Sequence, residues 1–421
     1  MPVGETHQAI EATFRIERAR LIAGLARMVR NIDRAEELAQ DALVVALSEW
    51  PRIGVPANPG AWLMTTAKRR AIDAIRRDRM RERKHDQIVQ ALDGAFGGAT
   101  ESTEARESSM SDDLGDELLG LIFTACHPVL SADARAALTL RVVGGLTTDE
   151  IARAFLSSEA TIAQRIVRAK KTIANAGLSF EAPRGAERTA RRSSVLEVIY
   201  LIFNEGYAAT AGEDLVRPSL CLEARRLGRM LARLMPEDAE VFGLLALMEI
   251  QASRLQARIG PDGDFVPLTE QDRSRWDQLL IRRGLGALAR AEALGGGGPY
   301  ALQAALAACR ARARRAEDTD WTRIAGLYDR LRMLAPSPVV DLNRAIAHSM
   351  AFGPETGQRL LDEIAGASAL RTYAPLPAAR GDFLFRAGRL AEARPQFEAA
   401  AKLTRNAREA AFLLARADAC G

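Results

Sequence analysis

The sequence predicts an all-α protein, on three observations. Apolar residues recur at helical spacing through most of the chain. Ala, Leu and Arg dominate and aromatics make up only 5%, a composition that favours helix. No stretch alternates polar and apolar residues as a half-buried strand does. With 421 residues the chain is long enough for several domains, each with its own core.

The first elements follow from apolar spacing and from punctuation. Ile10, Phe14, Leu21, Ile22, Leu25, Met28 and Val29 lie on one helix, and Leu38, Ala42, Val45 and Ala46 on a second running from Ala35 to Trp50. Pro51, Gly54, Pro56 and Pro59 mark a loop, and Asn58-Pro59 caps a third helix over Gly60 to about Lys84. This segment, residues 8–84, reads as one domain.

Charge then divides the chain. Of the 58 basic residues only five are lysine (Lys68, Lys84, Lys170, Lys171, Lys402), so 53 are arginine and a lone Arg carries little information. Clustering carries more. Between Lys68 and Lys84 stand nine basic and three acidic residues, whereas His85 to Glu117 holds nine acidic residues and one Arg. Residues 85–113 therefore read as an acidic linker, flexible through the Gly-, Ser- and Glu-rich stretch Gly94–Arg106. Such a tether is a solvated connection, or a shield for the neighbouring basic helix when no nucleic acid is present.

Residues 114–180 form a second helical unit that contains the most informative segment. Ser131 to Val143 is an amphipathic helix stopped by Gly144-Gly145. Thr147 and Glu150 form a capping box opening helix Thr148–Phe155, and Ser158 caps a third helix to about Ala174. Two short helices joined by a tight turn, the second with Arg165, Arg168, Lys170 and Lys171 and no acid after Glu159, make a helix-turn-helix signature. In that geometry Ser158, Glu159, Thr161, Gln164 and Arg165 are candidates for base edges, and Arg168, Lys170 and Lys171 for phosphates. Ile151, Ala152, Ile162 and Ile166 should pack the two helices together.

These segments resemble a known family. Leu146-Thr-Thr-Asp-Glu-Ile-Ala through Ser158-Glu-Ala-Thr-Ile-Ala-Gln-Arg-Ile-Val-Arg-Ala is similar to the −35 reading domain of RNA polymerase sigma factors. Ala35-Glu-Glu-Leu-Ala-Gln-Asp-Ala-Leu, with Ala61-Trp-Leu-Met-Thr-Thr-Ala-Lys-Arg-Arg-Ala-Ile-Asp, looks like their core-binding and −10 domain. The order, with no domain between, resembles the extracytoplasmic-function group of the sigma-70 family. Tyr200-Leu-Ile-Phe-Asn-Glu-Gly-Tyr, Leu268-Thr-Glu-Gln-Asp-Arg-Ser-Arg-Trp-Asp and Gly298-Pro-Tyr-Ala-Leu-Gln-Ala-Ala are similar to its variant with a tetratricopeptide-like C-terminal extension. Two departures stand out: Leu156-Ser157 replaces the usual glycine of the turn, and Arg69 stands where many relatives have Asn.

The resemblance implies partners and roles. Asp33, Glu36, Glu37, Gln40 and Asp41 dock on the β′ clamp helices of core polymerase, and the second domain meets the β flap. An acidic, amide-bearing face is suited to a basic partner. The loop Pro51–Pro59 corresponds to the one that captures a flipped −10 base, which couples recognition to strand opening. Asn58, Trp62, Lys68, Arg69, Arg70, Arg76 and Arg77 line the −10 contact, where charge density alone suits the phosphates of a separated strand. Trp62 is either a stacking surface or a core aromatic.

Residues 193–290 read as a helical intermediate domain whose polar residues Asn204, Glu205, Gln271, Asp272 and Arg273 fit capping networks better than a ligand pocket. Residues 298–421 read as helical repeats. Gly381, Gly388, Ala393, Phe397 and Ala400 fall at tetratricopeptide offsets, with an earlier unit at Trp321, Ile324, Ala325 and Tyr328 and a weaker one at Ala345, Gly357 and Leu361. Such stacks either bind a peptide or protein ligand or serve only as structure.

Other classes fit less well. The scattered cysteines Cys126, Cys221, Cys309 and Cys420 suggest neither disulfides nor a metal site, and no cofactor motif is present. Cys126-His127 are adjacent on one helix, where side chains diverge by about 100°, so they make a poor nucleophile pair and no enzyme is expected. No apolar run spans a membrane and no signal peptide is visible, which points to the cytoplasm. A helix-turn-helix regulator with a repeat-type sensor domain is the alternative, but it has no need of the Ala35–Asp73 constellation.

Overall fold

The computed structural model describes residues 3–93, 112–155, 157–207, 216–260, 266–268, 270–404 and 407–421. These residues are helical throughout, with no strand among them, as composition and periodicity predict. The chain divides into two compact units, one of residues 1–153 and 157–198, the other of residues 154–156 and 199–421.

The first unit opens with α1 (Val3–Val29), α2 (Ile32–Ile53) and α3 (Pro59–Asp93). Asn31 caps α2 by accepting from the Arg34 amide at 3.0 Å, and Asn58 caps α3 by accepting from Ala61 at 3.1 Å. Leu21, Ile22 and Leu25 of α1, Leu38, Ala42 and Trp50 of α2 and Leu63 of α3 are withdrawn from water and form the shared core. Two boundaries differ from expectation. Pro51 lies in the last turn of α2 rather than in the loop, because the helix ends only at Gly54. Residues 85–93, placed in the linker, continue α3, as the spacing of Ile88, Val89 and Leu92 permits. The stretch expected to be flexible, 94–106, lies outside the described residues.

α4 (Asp112–Ala125), α5 (Ala132–Thr139), α6 (Thr148–Ala154), α7 (Glu159–Asn175) and the start of α8 (Gly185–Tyr207) complete this unit. The last turn of the Ser131–Val143 helix widens into a π-helical segment over Leu140–Gly144 and stops at Gly145, whose φ of 79° suits glycine. Gly120 on α4 lets the chain after α7 approach closely: a Cβ there would sit 2.1 Å from the Phe180 carbonyl. Thr124 donates to the Ser179 carbonyl at 3.0 Å beside it. Within the boundary expected at Pro183–Arg192, α8 begins at Gly185. Arg191 donates to the Phe123 carbonyl, and Arg135 reaches Ser194 and Glu197, so polar contacts hold α8 to the unit.

The second unit continues with α9 (Pro218–Leu234), α10 (Ala239–Ala252), α11 (Gln278–Ala293), α12 (Pro299–Arg312), α13 (Trp321–Leu334), α14 (Pro338–Phe352), α15 (Pro354–Ile364), α16 (Pro375–Arg386), α17 (Leu390–Leu403) and α18 (Ala407–Asp418). From α9 onward each helix packs against the next in sequence. The repeat positions fall where small residues are needed. A Cβ on Gly381 would lie 2.9 Å from the Phe397 ring, while Ala393 and Ala400 are fully buried beside it. Phe397 is 2% exposed and belongs to a cluster with Leu384, Leu413 and Ala417. Phe397→Ala should therefore cost about 3–5 kcal/mol, by loss of apolar burial and the cavity left between α16 and α17. Urea unfolding of the extension measures it, and a loss below about 1 kcal/mol would contradict this packing role.

Candidate polymerase and nucleic-acid interface

α2 presents its acids outward: Asp33, Glu37, Gln40 and Asp41 are exposed, whereas Ala35, Leu38, Ala39 and Ala42 face the core. Glu36 is different, with its side chain only 11% exposed. It accepts from Arg18 of α1 at 2.6 Å, lies 3.7 Å from Arg141, and accepts from Lys170 of α7 at 2.5 Å. Lys170 also reaches Asp33 at 2.7 Å. Arg18 donates in turn to the Arg141 carbonyl at 2.7 Å. Burial depresses the Arg18 guanidinium below its ordinary pKa, as does Arg141, and Glu36 opposes both.

The basic side of α3 is less uniform than its charge suggests. Arg69 and Arg76 are exposed. Arg70 pairs with Asp41 at 3.1 Å, Arg77 donates to the Asp73 carbonyl, and Lys68 stands 4.0 Å from the buried Glu117 of α4. Trp62 packs edge-to-face on the buried Trp50, ring centroids 5.4 Å apart. Trp62 itself stays partly exposed. Asn58 is occupied as a cap.

α6 and α7 form the helix-turn-helix through their predicted caps. The Thr147 amide donates to Glu150 at 2.7 Å and the Glu150 amide to Thr147 at 3.1 Å, a complete capping box. The Thr161 amide donates to the Ser158 hydroxyl at 3.1 Å. Ile151, Ala152, Ile162 and Ile166 are buried, as are Ala169 and Ile173 further along α7. The opposite face carries Glu159, Gln164, Arg168 and Lys171 in the open, with Arg165 half-buried and 3.5 Å from Asp133. Ser158 and Thr161, assigned to base edges, bond each other at 2.7 Å and close the helix start.

Lys170 departs most from the sequence reading. Its side chain, expected near phosphates, is 10% exposed and pairs with two acids assigned to polymerase docking. Arg18, Arg141 and Glu117 were not foreseen, since each acts through partners remote in sequence. Cys126 and His127 are engaged separately. The buried thiol lies 3.4 Å from the Thr139 hydroxyl and burial pushes it up to about 11, while the His127 ring accepts from the Val129 amide.

Comparison with known proteins accounts for this arrangement. Residues 14–81 match Sigma-70 region 2 and residues 121–173 match Sigma-70, region 4. Residues 191–292 match a family of unknown function (DUF6596). The chain belongs to the sigma-70 family. Region 2, region 4 and an extension give this sigma factor the organisation of the extracytoplasmic-function type. An uncharacterised protein of Rhizobium meliloti (strain 1021) is 41% identical over 407 residues, covering 95% of this sigma factor and 93% of the relative. No solved structure matches. Regions 2 and 4 support binding to core RNA polymerase and promoter DNA. Among the described residues, no helix is long and apolar enough to cross a membrane.

The Glu36 cluster of this sigma factor is buried enough for its loss to be measurable. Glu36→Gln leaves Arg18, Arg141 and Lys170 close together with their main counter-charge gone, at a cost of about 3–5 kcal/mol. Lys170→Met should cost less, because Glu36 keeps Arg18. Equilibrium unfolding that ranks Lys170→Met as the more damaging change would refute this account of the cluster.

Proposed function

We propose that this sigma factor directs promoter-specific initiation with the outer face of α7 on the −35 element and α3 with the Pro51–Pro59 loop on the −10 element. The acidic face of α2 meets core polymerase, and the process is cytoplasmic. The observation that carries this reading is the division of α7: an apolar side that is buried and packs on α5, and an opposite side where Gln164, Arg168 and Lys171 stand in water. Residues 8–84 and 114–180 are the two promoter domains. Residues 298–421, packed helix on helix, form a repeat extension that modulates their activity and has a surface for a protein or peptide ligand.

The contacts of Lys170 add an order of events. Asp33 and Glu36 cannot serve polymerase while holding Lys170, and Lys170 cannot reach a phosphate while held. Docking of α2 on core therefore releases α7 in the same step.

Base reading and phosphate contact are separable by mutation. Gln164→Ala and Arg165→Ala should alter preference at one or two −35 positions, a good bidentate pair contributing about 1–3 kcal/mol of discrimination. Lys171→Ala should weaken all promoters alike and lower the salt slope by about one unit. Binding titrations over a set of −35 variants distinguish these outcomes, and a uniform loss in all three mutants would remove the assignment. Core docking has its own test. Reversing Glu37 and Asp41 together to Lys should abolish holoenzyme formation with helicity intact, and normal affinity for core polymerase would exclude α2 as the docking face.

A further inference from the structure

A guanidinium carries five donors and keeps its proton, so burial without an acceptor is costly. Residues 199–421 mostly respect this. Arg225 and Arg229 share Glu249, which is 2% exposed. Arg344 meets Asp329, Arg416 meets Asp382, and Arg386 donates to Ser349.

One place breaks the pattern. Arg254 and Arg258 follow α10, and both stack on Tyr207, with guanidinium carbons 5.4 and 4.1 Å from the ring centroid. Arg310, in the last turn of α12, stands 5.5 Å over Trp321. Arg273 lies 5.0 Å over Trp276 and donates only to neutral acceptors, the carbonyls of Arg310 and Ala313 and the Thr319 hydroxyl. These cations feel one another: burial, then Arg310 and Arg258, hold Arg254 below the ordinary arginine value against Tyr207, and burial, then Arg310, hold Arg273 below it against the more distant Asp318 and Glu317. Among the described residues, Arg254, Arg258 and Arg310 form no ion pair with a carboxylate. The Nε atoms of Arg258, Arg273 and Arg310 are buried without an acceptor, as is that of Arg416, but Arg416 has Asp382 as counter-charge and these three have no carboxylate within ion-pair distance.

Aromatic faces steady such cations but supply no acceptor for their N–H groups. What the cluster lacks is an anion with oxygens in several directions. A carboxylate presents one planar pair of oxygens, whereas a phosphate presents a tetrahedral set that several guanidinium forks can share. The buried Nε atoms favour a compact anion over a duplex laid on the surface. We infer that Arg254, Arg258, Arg273 and Arg310 form a binding site in the extension for a small phosphate-bearing anion. Asp272 takes no part, since it caps its own turn by accepting from the Ser274 amide.

The probes are pyrophosphate, inorganic phosphate and ATP, tested on the full chain by thermal unfolding and calorimetry. Pyrophosphate at saturation should raise Tm by about 2–4 °C over sodium chloride of equal ionic strength. ATP giving the larger shift would assign the phosphate to a nucleotide, and pyrophosphate the larger shift to a free anion; both are forms of the proposed ligand. Arg258→Met and Arg310→Gln should each abolish the response and, by relieving repulsion, leave the ligand-free Tm no lower than that of the parent. If one variant does not fold, the other carries the test. A purely structural cluster predicts the reverse, a lowered Tm with the response retained, and that result would overturn the site. Equal stabilisation by chloride, or by citrate in place of pyrophosphate, would overturn it as well.

Discussion

In a chain whose cations are nearly all arginine, each guanidinium drawn away from water needs an acceptor, and meeting that need organises the molecule. A helix satisfies its own backbone but leaves every side chain to find a partner across a packing face. Here the partners are a few shared carboxylates, Glu249 buried, Glu36 largely so and Asp382 partly exposed. Glu36 takes Arg18, Arg141 and Lys170; Glu249 takes Arg225 and Arg229; Asp382 takes Arg416 and Arg386. Sharing spares the number of charges that must be desolvated, and it ties more than two elements to one point. Removing one cation is then tolerable, while removing the carboxylate strands all the others.

In the promoter-binding unit this has a functional consequence. Glu36 lies on the helix whose other acids are exposed for a partner, yet it is held by cations from α1, from the π-helical segment and from α7. α2 and α7, the helices proposed to meet polymerase and DNA, are thereby joined through Glu36 and Asp33. An ionic joint suits the release proposed above, because its partners exchange one ion for another at modest cost. An apolar joint of equal strength would expose its surface to water on opening. Glu117 of α4 approaches Gly24 of α1 so closely that a Cβ there would lie 2.8 Å from the carboxylate, and it stands 4.0 Å from Lys68 of α3.

What was legible in the sequence was local. Asn58, the Thr147–Glu150 box and Ser158 cap their helices as read, because a cap is a contact across two or three residues and needs no tertiary information. The repeat positions Gly381, Ala393 and Phe397 were readable for a similar reason, since one repeat packs chiefly on itself and its neighbour. The pairing of Lys170 was not legible, because basic residues on one helix look alike until the fold shows which of them turns inward. Lys170 sits one residue from Lys171, and about 100° of helix rotation decides that one faces Glu36 and the other water. Arg18 and Arg141, separated by 123 residues, carried no local signal at all.

The same reasoning explains why the arginine cluster of the extension escaped notice. Arg254, Arg258, Arg273 and Arg310 are spread over three sequence segments in a chain where arginine is everywhere, so no window concentrates them. Only Arg273 drew attention, as a polar residue in a loop, and a capping network was the natural reading; Asp272 and Ser274 beside it do form one. The cluster becomes visible as a violation. Elsewhere in the extension buried arginines are matched to carboxylates, and four that are not, gathered on Tyr207, Trp276 and Trp321, define a place where the protein's own charges do not balance. A site that must hold an anion for part of its working life cannot also be filled by a resident carboxylate. The missing counter-charge is therefore the feature that a ligand requirement would preserve.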